Sequence, residues 1–546
     1  MRELIEKYGL QNAIRYNGKA NSNAILGKVL QERNELKSKI NELKREIGVI
    51  VNEINKLNLN EQITKLKEIA PELLEEKKEE KKELKEIKSK NPVLRFRPSP
   101  SGALHIGHSY VLGINELYRE KYNGKLLLII DDTNPENIYK DAYKLIEKDG
   151  RWLANVDKVI YASSRMKIYY KYAEELIKKN KAYVCNCEQE KFKELIENCK
   201  ECPCRGLNKD EQLKRWKLMF KKYKPGEAVL RIKTNLQDKN PALRDWPAFR
   251  INEKKHVIVG KKYRVWPLMN FAVAIDDHEL NVSTAIRAKD HMDNAKRQKY
   301  IFDYFNWKFP ENLFVGRINF TGLRLSATQT RKLIEQGKYE GWDDVRLPFL
   351  PALRRRGYQK EAFLRYAKEV GVTEVDKKVS KEDFFKLINA FNTEIIDKNA
   401  NRYFIVLNPK KIKIKKAHEM RKELDLYPNV RKNGRKFLTK QEFYIQDELE
   451  KNKNYRLMHL FNFRNNEFLS EYIDERLEAK LIHWLPVSNK LVKVEVLIDN
   501  NKVINGLGEE GLKNVKVGEI IQAERNFFCR LLKKSKNKLY FIYLHR

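Results

Sequence analysis

A chain of 546 residues is longer than one hydrophobic core can fill and is expected to divide into roughly three to five compact units. Lysine and arginine number 111 against 75 acidic residues, and the formal charge of +36 points to a nucleic-acid partner, with an AT-rich genome as the alternative source of so many lysines. No run approaches the ~20 apolar residues of a membrane span and MRELIEKYGL lacks an apolar signal region, so the expectation is a cytoplasmic protein with no membrane partner.

Residues 1–90 carry Leu and Ile at helical spacing, as in Leu30, Leu36, Ile40, Leu43 and Ile47, and predict a helical N-terminal domain. Residues 75–90 are nearly all Glu and Lys and read as a solvated helix or linker. From Pro92 the character changes. Residues 93–96 predict a short buried strand, a Pro/Ser/Gly turn follows, a helix starts near His105, and residues 125–130 predict a second strand ending in Asp131 and Asp132. That order opens a parallel α/β nucleotide-binding sheet, whose ligands sit at the carboxyl ends of the strands. Residues 343–395 read as helical, and residues 403–407, 491–498, 519–523 and 539–543 as short strands of C-terminal β-barrels.

Five of the six cysteines fall between Cys185 and Cys204, a density that favours metal over disulfides in a reducing compartment. Four thiolates from two close pairs can surround zinc tetrahedrally, and Cys185, Cys187, Cys202 and Cys204 are the preferred ligands, with Cys199 as the spare. A reduced cluster without metal is the alternative. Cys529 follows Phe527 and Phe528 and reads as a small buried hydrophobe.

Residues 95–110 read RFRPSPSGALHIGHSY. A glycine at a strand-to-helix turn lets phosphate oxygens approach the backbone, and histidines at a helix N-terminus add donors where the dipole already favours negative charge. With His105, Ile106, Gly107 and His108 intact, the segment resembles the HIGH signature of class I aminoacyl-tRNA synthetases in its glutamyl and glutaminyl form. The resemblance implies that His105, Gly107 and His108 hold the ATP phosphates. It also implies that Arg95 and Ser99 bind the amino acid, and that Asp131, in IDDTNPE, holds the substrate α-amino group. FAVAIDDHELNVSTAIRAKDH, residues 271–291, resembles the return to the nucleotide fold, with Arg287 where glutamyl enzymes face the substrate side chain. Arg95 and Arg287 together would make a pocket that prefers an anion.

GLRLSATQTRKLIEQG, residues 322–337, lies where the family's KMSKS loop belongs. Ser326, Thr328 and Gln329 are the loop residues implied near ATP, and Gln329 replaces a lysine. Arg324 is read as the cation that compensates. Met269 replaces a substrate-facing tyrosine, with Tyr263 or Asn270 as substitutes. GWDDVRLPFLPALRRRGYQKEA resembles the helical stem-contact region, IHWLPV and GEIIQAERNFFCRL the anticodon-binding β-barrels, and QNAIRYNGKANSNAILGKVLQE the N-terminal helical domain of the archaeal glutamyl group.

The chain is therefore identified as resembling archaeal-type glutamyl-tRNA synthetases over nearly its whole length. The implied fold is a multidomain α/β protein with a class I, Rossmann-like parallel sheet. Its domains would be N-terminal helical 1–90, catalytic 91–184 and 263–332 around an inserted acceptor-binding domain 185–262, stem-contact 333–396 and anticodon-binding β-barrels 397–546. The implied reaction is ATP-dependent attachment of glutamate to tRNA(Glu) through a glutamyl-adenylate, with Mg2+ on ATP and a structural Zn2+. Charging of tRNA(Gln) as well stays open, and a monomer is expected. The rivals are a glutaminyl-tRNA synthetase and a weakened paralogue that binds tRNA.

Overall fold

The computed structural model describes residues 1–15, 18–33, 35–36, 40–73 and 84–546. Two compact units divide the chain, Met1–Glu83 and Leu84–Arg546. In the first, helices α1 (Arg2–Arg15), α2 (Ser22–Glu32), α3 (Ile40–Ile54) and α4 (Leu59–Ile69) close on one apolar core that includes Ile5, Leu10, Ile25, Val29, Leu43, Ile47 and Ile50. Of the residues picked for helical spacing, Leu43 and Ile47 are buried, Leu30 and Leu36 line the core, and Ile40 is exposed. Asn58 caps α4 through the Glu61 amide while the Glu61 carboxylate returns to the Asn58 amide, so two orphan donors are satisfied at once.

The charged stretch 75–90 lies outside the described residues as far as 83. Residues 84–90 form neither helix nor strand. Leu84 and Ile87 pack on the core of the second unit, and the Lys85 carbonyl accepts from the Tyr118 hydroxyl, so two apolar side chains turn a charged segment into a strap.

The second unit opens with parallel strands β1 (Val93–Phe96), β2 (Lys125–Ile130) and β3 (Lys158–Tyr161), in that order across the sheet. Helices α5 (Ile106–Lys121) and α6 (Ala142–Leu153) make the crossovers. All but the first residue of β2 is buried, as a strand covered on both faces requires. After α7 (Met166–Lys178) the chain departs into an antiparallel sheet of β4 (Ala182–Cys185), β5 (Val229–Ile232), β6 (Pro247–Ile251) and β7 (Val265–Pro267), with α8 (Gln189–Glu197) and α9 (Lys209–Met219) between β4 and β5. It returns through α10 (Met269–Glu279) to a parallel pair, β8 (Thr284–Ala288) and β9 (Glu311–Val315), joined by α11 (Met292–Phe305). The Ser283 amide bonds the Val93 carbonyl, which sets the start of β8 beside β1.

A loop and β10 (Ile318–Thr321) lead to α12 (Ala327–Glu335), α13 (Leu350–Arg356) and α14 (Lys360–Val370), followed by β11 (Lys377–Ser380) and α15 (Lys381–Ile396). The helical expectation for 343–395 is met by α13, α14 and α15, whereas residues 343–349 form turns and β11 pairs in parallel with β10. C-terminal to α15, strands at Asn401–Tyr403 and Ile405–Leu407 occupy the two edges of one seven-stranded sheet. Only Phe404 separates them, so the sheet closes on itself and both edges are removed. The single strand expected over 403–407 is thus two. A second β cluster, built on Phe443, Tyr455, Phe461 and Trp484, packs beside it. Arg435 binds Glu509 and Glu524 there, all three buried, while Glu509 also accepts the Phe404 amide.

Candidate active site

At the carboxyl end of β1 the chain runs through Pro98, Pro100 and Gly102 and enters α5 with His105 as its N-cap. Two features hold that entry. A Cβ on Gly102 would lie 2.4 Å from the Trp342 ring, so only glycine permits the packing. Residues 104–106 also pair with the segment entering α13: Ile106 donates to the Pro348 carbonyl at 3.2 Å and Leu350 to the Leu104 carbonyl at 2.8 Å.

The two histidines are neutral donors. His105 Nδ1 accepts the Gly107 amide at 3.1 Å, and His108 Nδ1 accepts the His105 amide at 3.3 Å. An Nδ1 that accepts leaves the ring proton on Nε2, so each imidazole presents one N–H away from its own backbone. Burial pushes the His108 imidazolium down to about 4, and burial with the adjacent His108 pushes His105 well below the usual histidine range. The rings stack 3.8 Å apart. A Cβ on Gly107 would sit 3.0 Å from His105 Cε1, which explains the glycine by the room the imidazole needs.

His105, Gly107 and His108 line a cavity of about 530 Å3 together with Ala288, Arg317 and Ser326. Helix dipole, two Nε2–H donors and one guanidinium make it suited to a polyphosphate. Ser326 N-caps α12 and accepts the Gln329 amide at 3.4 Å. Leu323, Leu325 and Ser326 reach the cavity; Arg324, Thr328 and Gln329 are not in its lining, and Arg324 is exposed. Arg331 lies over the Tyr139 ring and near Glu335.

Beside this cavity lies a buried charge cluster. Arg95 donates to both oxygens of Asp277, at 2.8 and 3.2 Å, and Arg287 reaches Asp277 Oδ2 at 3.4 Å. Burial, and then the neighbouring Arg95, hold the Arg287 guanidinium down to about 9. Two arginines against one aspartate leave the trio net positive. Arg287 also donates to Gln298, which donates to Asn270, which donates to Asn294. Asn270 therefore belongs to the pocket network, whereas Tyr263 packs against Tyr170 and Trp266 in the inserted sheet. Phe96, next to Arg95, meets the His108 ring edge-on at 6.1 Å, and Ala288, next to Arg287, lines the cavity.

Asp131 is paired with Arg97 at 3.0 Å and receives the Thr133 hydroxyl at 2.9 Å. Burial opposes its charge, but Arg97 and Thr133 outweigh it and hold the carboxyl below the usual range. Arg97 also bonds Asp276, which binds Arg165 and Tyr169 as well. Ser99 is exposed on the turn. Asp132 is fully buried and takes the Ser163 amide and hydroxyl and the Tyr143 hydroxyl. His256, from the inserted region, accepts two amides on Nδ1 and meets the Asp132 carbonyl through Nε2 at 3.0 Å.

Sequence reasoning missed Arg97, Asp276, Asp277, Gln298, His256 and Arg317. One signal was available: Asp276 and Asp277 adjoin in the otherwise apolar FAVAI run, and buried carboxylates need cationic partners.

In the inserted region the Sγ atoms of Cys185, Cys187, Cys202 and Cys204 all lie within 4.8 Å of one another. Cys185 and Cys202 are 3.9 Å apart, and Cys187 and Cys204 3.7 Å. A tetrahedral zinc with ~2.3 Å bonds separates its sulfurs by about 3.8 Å. Arg215 donates to Cys204 Sγ at 3.3 Å. Cys199, at positive φ, stands outside the four.

Residues 92–398 match the family described as tRNA synthetases class I (E and Q), catalytic domain, and residues 400–482 match its anti-codon binding domain. The chain is 41% identical to a glutamate–tRNA ligase of Methanocaldococcus jannaschii over the full length of both chains. It is 42% identical to that of Pyrococcus abyssi over 99% of each, and 38% identical to that of Methanobrevibacter smithii over the full length of both.

Proposed function

The chain belongs to the class I tRNA synthetases (E and Q), and we propose that it is a glutamate–tRNA ligase using ATP to charge tRNA(Glu). The observation that carries the choice of amino acid is the buried trio Arg95, Asp277 and Arg287 beside the histidine-lined cavity. Its net positive charge favours glutamate over the isosteric neutral amide, because a buried charge is tolerated where an opposite one awaits it.

In this reading His105 and His108 donate Nε2–H to the phosphates of Mg-bound ATP, and Arg317 adds a positive charge to the same cavity. The glutamate α-carboxylate attacks the α-phosphorus, pyrophosphate leaves, and the terminal adenosine 2′-hydroxyl of the tRNA then attacks the glutamyl-adenylate and releases AMP. Neither step needs a protein nucleophile; positioned donors supply stabilisation where charge grows. Asp131, held anionic by Arg97, receives the glutamate ammonium, and Ser99, exposed on the turn after β1, offers its hydroxyl to the amino acid.

Four cysteines with separations suited to tetrahedral thiolate coordination support a structural zinc held by Cys185, Cys187, Cys202 and Cys204. Such an ion would brace the inserted region and take no part in the chemistry. The charge of +36 and the anticodon-binding family match support an extended RNA footprint whose affinity falls with salt. No helix among the described residues is long and apolar enough to cross a membrane.

ATP–pyrophosphate exchange with glutamate or glutamine, with and without tRNA, followed by charging of tRNA(Glu) and tRNA(Gln), tests this function. Exchange and charging with glutamate are expected. Preferential use of glutamine would make the chain a glutaminyl enzyme, and tRNA binding without exchange or charging would make it a weakened paralogue.

A further inference from the structure

The backbone around His105 has one partner that the reaction described above does not use. The Leu104 carbonyl accepts from Leu350, the His105 amide goes to His108, the His105 carbonyl accepts from Ser109, and the Ile106 amide goes to Pro348. The Leu104 amide favours the charged form of the Asp149 carboxyl group, on a fully buried residue of α6, without a full hydrogen bond to either oxygen. Arg354, on α13, places Nη2 at 3.2 Å from Asp149 Oδ1 and donates through Nη1 to the Lys148 carbonyl at 3.3 Å.

This carboxyl group is costly to keep. No donor meets either oxygen in full hydrogen-bond geometry, and burial pushes the group up to about 7 against the pull of Arg354. An under-satisfied buried carboxylate asks for a reason. Its place supplies one, since it acts on the Ala103–Leu104 peptide, one residue ahead of the cap of α5, while its partner Arg354 rides on the helix whose entry pairs with residues 104–106. The same helix is held from its other side: Arg530 donates to the Arg354 carbonyl at 3.0 Å, and Arg356 to the Tyr543 carbonyl at 3.2 Å.

We propose that Asp149 and Arg354 are positioning residues for His105 in adenylate formation, fixing the peptide before the N-cap and so the direction of its Nε2–H. The role rests on the ligase reading above. It keeps a poorly bonded carboxyl group buried because a rotated peptide at residue 104 would tilt the imidazole, and a small misplacement of a donor loses much of its effect on a developing charge.

The test uses the full chain with active sites titrated. Asp149→Asn is expected to lower kcat of adenylate formation about tenfold or more, with KM for glutamate and affinity for tRNA within about twofold. In a His105→Asn background the same substitution should cost less than about twofold, because the group it positions is gone. Arg354→Lys should recover most of the loss seen in Arg354→Gln. Arg354→Gln, whose side chain is 20% exposed, carries the same cycle if Asp149→Asn fails to fold. A readout independent of turnover is the imidazole NMR signal of His105 in the substrate-free protein, which should move in both variants. An unmoved His105 signal, wild-type kcat, or equal losses with and without His105 would each overturn the proposal. A wild-type chain that forms no adenylate while the His105 signal still responds would instead overturn the ligase reading alone.

Discussion

Arg95 grips Asp277 through both carboxylate oxygens, at 2.8 and 3.2 Å, while Arg287 shares the second of them at 3.4 Å. The aspartate neutralises one guanidinium and leaves the other for substrate. Arg95→Ala should raise KM for glutamate more than about tenfold with tRNA affinity nearly unchanged, since a charge-assisted bond is worth ~1.5–3 kcal/mol. Arg287→Ala should shift the kcat/KM ratio toward glutamine. Steady-state kinetics with both amino acids decide this, and a proportional loss for the two would remove Arg287 from side-chain selection.

Gly107→Ala places a Cβ 3.0 Å from His105 Cε1. The imidazole has to give way, and adenylate formation should slow by about tenfold or more while melting temperature changes little. Single-turnover rates at saturating ATP measure it; wild-type speed would show that the ring has slack.

If the resemblance of residues 322–337 to the family's loop is taken residue by residue, Gln329 replaces a lysine, and a neutral amide donates about half as strongly as a charged group. Arg317 lines the cavity, whereas Arg324 is exposed outside its lining. Arg317→Ala should therefore slow adenylate formation at least about tenfold and more than Arg324→Ala does. The reverse order would make Arg324 the compensating charge.

Elemental analysis of protein purified without added metal should give one zinc per chain. Cys199→Ser should keep that ratio because Cys199 lies outside the four-sulfur cluster, and Cys202→Ser should lower it sharply. A metal-free wild type with every thiol titratable would leave a reduced cluster.

Burial holds both His108 and His545 down to about 4, against 6.5 for a free imidazole. Between those values the unfolded chain binds protons that the folded chain refuses, so their stability contribution is complete above pH 6.5 and is lost as pH falls toward 4. Melting temperature should drop across that window, and His545→Gln should make the drop shallower. An unchanged slope in the variant would mean that His545 protonates in place.

Local chemistry was enough for much of this protein. The strands at 93–96 and 125–130 are short, mostly apolar runs bounded by turn residues, a pattern that needs no distant partner to read. The entry of α5 at His105 and the four clustered cysteines were legible for the same reason, since cap and ligand spacing are short-range. At 84–90 the charge pattern leaves helix and linker both open, and only contact with Tyr118 and the core reveals a non-helical segment anchored by Leu84 and Ile87.

By itself, then, the sequence determined the chain's chemistry of short range: the parallel-sheet opening, the histidine cap, the arginines at 95 and 287 and the thiol cluster. Tertiary structure alone decided which charges meet. Asp277 lies 182 residues from Arg95, Asp149 lies 205 from Arg354, and Arg530 lies 176 from the carbonyl it binds. No periodicity carries such pairings, because a buried charge accepts any opposite partner the fold brings within reach, and the approach of β8 to β1 and of α13 to α6 chooses that partner.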